Sequence, residues 1–132
     1  MKIAADTNVL LRAVVGDDEG QAAAARTVLA NADLVAIPIS AFCELVWVLG
    51  QSYRVSAPDI AATIRVLLAS GNVVVDRPAV EAGLRLLEAG GDFADGVIAH
   101  EGRWLGAEVF VSFDRRAVKL LAEAGEKAEL LA

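Results

Sequence analysis

The sequence predicts an α/β fold, a three-layer sandwich in which helices cover both faces of a central, mainly parallel sheet of four or five strands. Short apolar segments alternate with longer segments whose apolar residues recur every three or four positions. These are the patterns of buried strands and of amphipathic helices. No internal repeat, low-complexity tract or linker interrupts the alternation, so we expect a single domain over residues 1–132.

The first half of the chain is predicted to begin with a short buried strand, KIAAD, which ends at an acid. TNVLLRAVVG has helical spacing and stops at Gly16, and the acids that follow are suitable caps for an alanine-rich helix. LVAIP is a second strand, and Ser40 is the expected N-cap of the helix SAFCELVWVLGQSY. The elements expected here lie at 2–6, 7–16, 17–32, 34–38 and 40–53.

The second half of the chain continues the same alternation. Ser56 begins the helix SAPDIAATIRVLLAS, and NVVVD is a strand. PAVEAGLRLLEAG starts with proline at the favoured first helical position and ends in glycines. FADGVIAHEGRWLG and RRAVKLLAEAG are helices on either side of the strand EVFVSF, and KAELL is a fifth, edge strand. These elements lie at 56–70, 72–76, 78–90, 93–106, 108–113, 115–125 and 127–131.

The composition is that of a globular domain with a sizeable core: 132 residues, 56% hydrophobic and 23% charged. The net charge of −6 argues against broad electrostatic capture of nucleic acid, unless some acids surround bound cations. No uncharged segment approaches the roughly 18 residues of a membrane helix. Asp6 interrupts any apolar region of a signal peptide, and the single cysteine, Cys43, suits a reducing compartment. We therefore expect a cytoplasmic protein that does not enter a membrane.

Four acids are expected at one edge of the sheet. Asp6 ends the first strand and Asp114 follows the fourth, and ligands of parallel sheets bind beyond the carboxyl ends of strands. Glu44 has Ala41, Trp47 and Val48 among its helical neighbours, so we expect it on an inward-packing face, where a carboxylate needs a partner. Asp95 lies near the start of the second helix after the third strand, the helix expected at 93–106.

Helix capping is the structural alternative for several of these acids. Asp6, Asp92 and Asp114 each precede a helix, and aspartate is a favoured N-cap. Asp92 is the strongest case, because Asp95 three residues later completes a weak capping box. Capping does not explain Glu44, and it does not explain why four acids converge.

Convergent carboxylates repel each other, and cations stabilise their charged forms. Oxygen ligands without a His or Cys cluster favour Mg²⁺ or Mn²⁺ over zinc. One or two such ions can activate a water and stabilise the leaving oxygen of a phosphodiester. The acids therefore predict a divalent-metal site.

Four segments in order along the chain resemble a known family. DTNVLL, PISAFCEL, DFADGVIAH and VSFD are similar to the blocks of the PIN domain. The resemblance is strongest to the toxin nucleases of VapBC-type toxin–antitoxin pairs, and it covers nearly the whole chain. It implies a PIN-like fold and a Mg²⁺- or Mn²⁺-dependent endoribonuclease in which a metal-activated water hydrolyses RNA.

The resemblance also implies roles for individual residues. The four catalytic and metal-binding acids are Asp6, Glu44, Asp95 and Asp114, with Asp92 as an auxiliary ligand. Thr7, Asn8 and Ser112 match positions that support the acids through hydrogen bonds. Gly96 stands where many members have alanine, from which we expect a looser helix. Possible RNA contacts are Arg12, Arg115 and Arg116, for which solvated surface is an equal alternative.

Several residues are not expected to take part in catalysis. His100 is the only histidine and, five positions after Asp95, points away from it on a helix. Cys43 is expected in the core. The rings of Phe42, Trp47 and Trp104 are expected to serve packing rather than base stacking.

Rival functions differ in what they require. A phosphoacceptor receiver domain needs an acid pair after the first strand and a lysine after its last, and this chain has neither. A PIN nuclease of RNA processing and a non-catalytic interaction module on the same fold stay open. For a toxin, the resemblance implies an antitoxin that inserts a basic side chain among the acids. The apolar composition further suggests a homodimer.

Overall fold

The computed structural model describes all 132 residues, and these form two compact units, Met1–Asp76 and Arg77–Ala132. We refer to them as the N-terminal unit and the C-terminal unit. Whether they act as the single domain expected from the sequence stays a prediction.

The N-terminal unit contains three strands and four helices. In chain order these are β1 (Lys2–Ala4), α1 (Thr7–Val15), α2 (Glu19–Asn31), β2 (Leu34–Ala36), α3 (Ile39–Gln51), α4 (Ala57–Ala69) and β3 (Val73–Val74). The strands form a parallel sheet in the order β1-β2-β3, with Lys2 opposite Leu34 and Val35 opposite Val73. The fully buried core side chains of this unit are Leu10, Val35, Phe42, Leu45, Leu49 and Ile64.

Most helix ends in this unit follow the sequence signals. Gly16 ends α1 in the left-handed conformation, with φ 72°, and Ser56 caps α4. The helix predicted at 40–53 is confirmed as α3, but the N-cap prediction was wrong, because the helix begins at Ile39 and its N-cap is Pro38, which makes no side-chain capping bond. Ser40 lies inside the first turn, where its hydroxyl is past the capping position.

The C-terminal unit contains α5 (Arg77–Glu88), α6 (Phe93–Trp104), β4 (Phe110–Ser112), α7 (Arg115–Glu123) and β5 (Ala128–Leu130). The strand expected at the end of the chain is therefore confirmed. It pairs in parallel with β4, and Phe110 lies opposite Ala128. Helix α7 is the crossover that a parallel pair requires.

Helices α5 and α6 approach each other closely at two glycines. A Cβ on Gly96 would lie 2.5 Å from the carbonyl oxygen of Ala82, and one on Gly83 would lie 2.6 Å from the ring of Phe93. Gly96 therefore permits tight packing of α6 against α5, a role that the expectation of a looser helix did not include.

The predicted α/β class with parallel strands is confirmed, with seven helices among five strands. None of the helices is long and apolar enough to span a membrane.

Candidate active-site acids in two units

Asp6 lies just beyond β1 and caps the next helix. Its Oδ1 accepts a hydrogen bond from the Val9 N–H at 3.1 Å. The cap uses one carboxylate oxygen, so Oδ2 lies outside it. Asp6 can therefore cap α1 through one carboxylate oxygen and bind a metal ion through the other, so the two roles considered for it in the sequence do not exclude each other.

Glu44 is joined to the start of α1. The Thr7 hydroxyl donates a hydrogen bond to Glu44 Oε2 at 3.0 Å, which connects the residue after Asp6 with the helix acid. The Glu44 side chain is exposed, so the prediction that it lies on an inward-packing face was wrong. The neighbours Ser40 and Trp47 are also exposed, and the core of α3 is formed by its other face.

Asp92 and Asp114 of the C-terminal unit are both N-caps. Asp92 Oδ1 accepts from the Ala94 N–H at 3.1 Å, and Asp114 Oδ1 accepts from the Ala117 N–H at 3.0 Å. Asp114 repeats the arrangement of Asp6, since each lies just beyond a parallel strand and begins the following helix. The backbone N–H of Asp114 is in turn bound by Ser112 Oγ at 2.9 Å.

Asp95 is partly buried in the first turn of α6. Burial raises the pKa of its carboxyl above the ordinary value of 3.8, and the negative charges of Asp92 and Asp114 raise this pKa further. Asp92 and Asp114 are therefore each near enough to Asp95 to disfavour its negative charge.

This group of carboxylates has the chemistry that a hard divalent cation requires. Asp92, Asp95 and Asp114 offer only oxygen donors, and a cation would offset the repulsion that raises the pKa of Asp95. Within neither unit do three or more His, Cys, Asp or Glu side chains stand in an arrangement that could hold a metal ion. The donor set fits Mg²⁺ or Mn²⁺ in type, since Mg²⁺ is commonly held by one or two carboxylates together with water.

The remaining residues singled out in the sequence differ in their surroundings. Asn8 and Arg115 are exposed. Arg12 pairs with Asp17 at 3.1 Å, and Arg116 Nε donates to the Gly90 carbonyl at 2.9 Å. Arg12 and Arg116 therefore have intramolecular partners that RNA would have to replace or share, whereas Arg115 is exposed on α7 directly after the cap Asp114.

The predictions for aromatic residues and Cys43 were right only in part. Phe42 is fully buried, as expected. Trp47 and Trp104 are 63% and 80% exposed, so the prediction that both serve packing was wrong. Cys43 is only partly buried. In each case apolar side-chain chemistry was taken for burial, although α3 buries only one of its faces and Trp104 lies at the exposed end of α6.

His100 has a buried Nε2 without a hydrogen-bond partner. It lies in a cavity of about 50 Å³ in the C-terminal unit, which Arg85, Arg103 and Glu126 also line. The last two form an ion pair at 2.8 Å. The Nε2 atom of His100 is therefore enclosed within the C-terminal unit.

The PIN domain family matches this chain over residues 3–123, which is most of its length. The chain therefore belongs to the PIN domain family. No curated protein matches the sequence. PIN domains are generally metal-dependent nucleases acting on nucleic acid, so membership supports nuclease activity, a form of hydrolase.

Proposed function

We propose that this protein is an Mg²⁺- or Mn²⁺-dependent endoribonuclease that hydrolyses RNA phosphodiester bonds. The observation that carries the proposal is that Asp95, partly buried in the first turn of α6, lies near the carboxylates of Asp92 and Asp114, which together offer the oxygen donors that a divalent cation prefers. The PIN family match supports it independently, because nuclease activity is general in that family.

In this proposal Asp6, Glu44, Asp95 and Asp114 hold one or two divalent ions, with Asp92 as an auxiliary ligand. The bound ions supply an activated water and stabilise charge on the leaving oxygen of the phosphodiester. The protein holds the carboxylate ligands in place. Backbone N–H groups hold the capping oxygens of Asp6, Asp92 and Asp114, and the Thr7 hydroxyl fixes Glu44. No side chain has to act as a nucleophile.

The supporting and substrate-binding roles follow the same proposal. Thr7, Asn8 and Ser112 support the acids, and the bonds from the Thr7 hydroxyl and to Ser112 Oγ agree with this role. Arg115 contacts RNA phosphates, since a guanidinium suits phosphate oxygens and this one is exposed. Arg12 and Arg116 do so only by sharing their present partners.

We further propose that the protein is the toxin of a type II toxin–antitoxin pair in the cytoplasm and that it forms a homodimer. Exposed apolar side chains support a protein partner: Trp104 and Leu105 are 80% and 90% exposed. Ile98, Val109 and Val111 line a groove of about 210 Å³ in the C-terminal unit. A cognate antitoxin would place a basic side chain among the acids.

An RNA-cleavage assay tests the nuclease activity. The wild-type chain is incubated with single-stranded RNA in Mg²⁺, in Mn²⁺ and in EDTA, beside Asp6→Asn and Asp95→Asn. We expect cleavage only with the metals, and a loss of at least about 100-fold in both variants, because even outer-shell partners of metal sites are worth 10–100-fold. Asp18→Asn is the matched control, since Asp18 is an N-cap of the same kind on α2.

If the wild type cleaves RNA and both Asp6→Asn and Asp95→Asn keep its activity, these acids take no part in the mechanism. The toxin role is tested by expressing the chain with the product of its neighbouring reading frame. A stable complex that suppresses cleavage supports it, whereas an active nuclease without such a partner favours a role in RNA processing.

A further inference from the structure

Trp47 lies on the exposed face of α3. Ser40, Glu44, Trp47 and Gln51 follow one another at helical spacings of four, three and four residues and are all exposed. The opposite face of this helix contains the buried side chains. Trp47 is 63% exposed and is the only apolar member of this surface, which we call the α3 stripe. The core therefore does not account for a tryptophan at this position.

The neighbour of Trp47 on the stripe is a proposed metal ligand. Residues three apart on a helix have Cβ atoms about 5–6 Å apart, so Trp47 and Glu44 are neighbours within one turn of α3. Glu44 is fixed by the Thr7 hydroxyl at 3.0 Å. An exposed tryptophan is thus one helical turn from a carboxylate whose position is held.

A flat exposed ring beside polar groups suits a nucleobase better than another protein. Each base has a π-face, and stacking on aromatic side chains is the usual way in which proteins bind single-stranded nucleic acid without sequence preference. Ser40 and Gln51 add hydrogen-bonding groups along the same stripe. A protein partner would require a continuous apolar patch, and the stripe offers one apolar side chain among three polar ones.

We propose that Trp47 is a positioning residue that stacks a base of the single-stranded RNA substrate next to the scissile phosphate. This inference rests on the proposed nuclease function. The spacing of Ser40, Glu44, Trp47 and Gln51 was visible in the sequence, but the interpretation of the tryptophan as packing concealed it.

Fluorescence tests the contact directly, because the chain has only two tryptophans. Trp104→Phe in an Asp95→Asn background leaves Trp47 as the sole indole and slows cleavage of the probe. We expect a short single-stranded RNA oligonucleotide to quench this emission saturably. The matched control, Trp47→Phe in the same background, retains Trp104 alone and is expected to show no saturable quenching.

Kinetics tests whether the contact positions the substrate. For Trp47→Ala we expect KM to rise about tenfold, within the range of one base–aromatic contact, with kcat within about threefold of wild type. Trp47→Tyr restores most of the lost affinity because it keeps an aromatic face. The melting temperature of each variant should stay near that of wild type, since the side chain is exposed.

The outcomes separate this inference from the nuclease proposal. If the wild type cleaves RNA and Trp47→Ala leaves KM unchanged, or changes only the solution mass, Trp47 does not bind the substrate. If the wild type cleaves nothing but Trp47 is still quenched saturably, RNA binding at Trp47 stands and the nuclease proposal falls. Absence of quenching overturns the inference in either case.

Discussion

The Thr7 hydroxyl donates a hydrogen bond of 3.0 Å to Glu44 Oε2, although the two residues are 37 positions apart. Thr7 is the first residue of α1 and follows Asp6, the cap of that helix. One short segment therefore presents the first acid and also orients the second. This places Asp6 and Glu44 in a common local arrangement within the N-terminal unit.

Removing this bond should lower activity without unfolding the protein. For Thr7→Val we expect a loss of roughly 10-fold in kcat/KM, the lower end of the range for residues that orient metal ligands. Thr7→Ser keeps the hydroxyl and should keep most of the activity. Stability should change by no more than about 0.5 kcal/mol, as is usual for a surface position. Equal activity of Thr7→Val and wild type in a cleavage assay would show that Glu44 needs no such support.

Substitutions at the capping acids separate capping from catalysis. Asparagine caps as well as aspartate, so Asp6→Asn and Asp114→Asn should stay nearly as stable as wild type yet lose activity. Asp6→Ala and Asp114→Ala should lose activity and also about 1 kcal/mol of stability. Asp18 is the matched control, because its Oδ1 caps α2 through the Gln21 N–H at 3.0 Å.

Chemical denaturation combined with a cleavage assay measures both effects. Asp18→Ala should lose stability and keep its activity. If Asp6→Asn and Asp114→Asn retained full activity, both aspartates would be caps and nothing more.

The raised pKa of Asp95 predicts how stability depends on pH. A carboxyl whose pKa is higher in the folded than in the unfolded state contributes stability below the unfolded value, and this contribution is lost as pH rises through the folded value. In EDTA at pH 7, Asp95→Asn should therefore melt at a higher temperature than wild type. The difference should shrink as pH falls towards the ordinary value of 3.8, where the wild-type carboxyl is protonated.

Thermal melts of the two proteins from pH 3.5 to 7 check this expectation. Added Mg²⁺ should raise the melting temperature of the wild type and leave that of Asp95→Asn nearly unchanged. A lower melting temperature for Asp95→Asn at neutral pH in EDTA would mean that the Asp95 carboxylate stabilises the fold.

The contact between α5 and α6 predicts a cost for Gly96→Ala. Alanine favours a helix over glycine by about 1 kcal/mol, but its Cβ would lie 2.5 Å from the Ala82 carbonyl oxygen. We expect a net loss of about 1–3 kcal/mol, typical of overpacking, in denaturant titration. Gly102→Ala on the same helix is the control, because its Cβ would meet nothing closer than 3.8 Å. A Gly96→Ala variant as stable as Gly102→Ala would show that the helices can move apart freely.

Most elements could be predicted from local signals. Gly16, Ser56 and the alternating apolar segments mark boundaries that depend on the nearby backbone, so their positions were right to within a few residues. The N-cap of α3 was not predicted, because Ser40 has a capping side chain but the helix begins one residue earlier, at Ile39, with Pro38 as its N-cap. A side chain that is able to cap does not by itself show which residue occupies the N-cap position.

The site was predicted less completely, because burial depends on tertiary packing. The apolar neighbours Ala41 and Val48 suggested that Glu44 packs inward, whereas the helix turns Glu44 and Trp47 to the surface. Tight packing at Gly96 depends on the carbonyl of Ala82, fourteen positions earlier, and no local pattern reveals that contact. The residue types indicated what chemistry the acids can perform, but they did not indicate whether each acid is buried or exposed.

Manganese binding tests most directly whether Asp6 and Asp95 serve one metal centre. Isothermal titration calorimetry of the full chain with Mn²⁺ should show a binding event that Asp6→Asn and Asp95→Asn each weaken at least about tenfold, as loss of a ligand predicts. Asp18→Asn should bind Mn²⁺ as the wild type does. If Asp6→Asn retained wild-type affinity while Asp95→Asn lost it, Asp6 would not be a metal ligand, and the nuclease proposal would be contradicted at its centre.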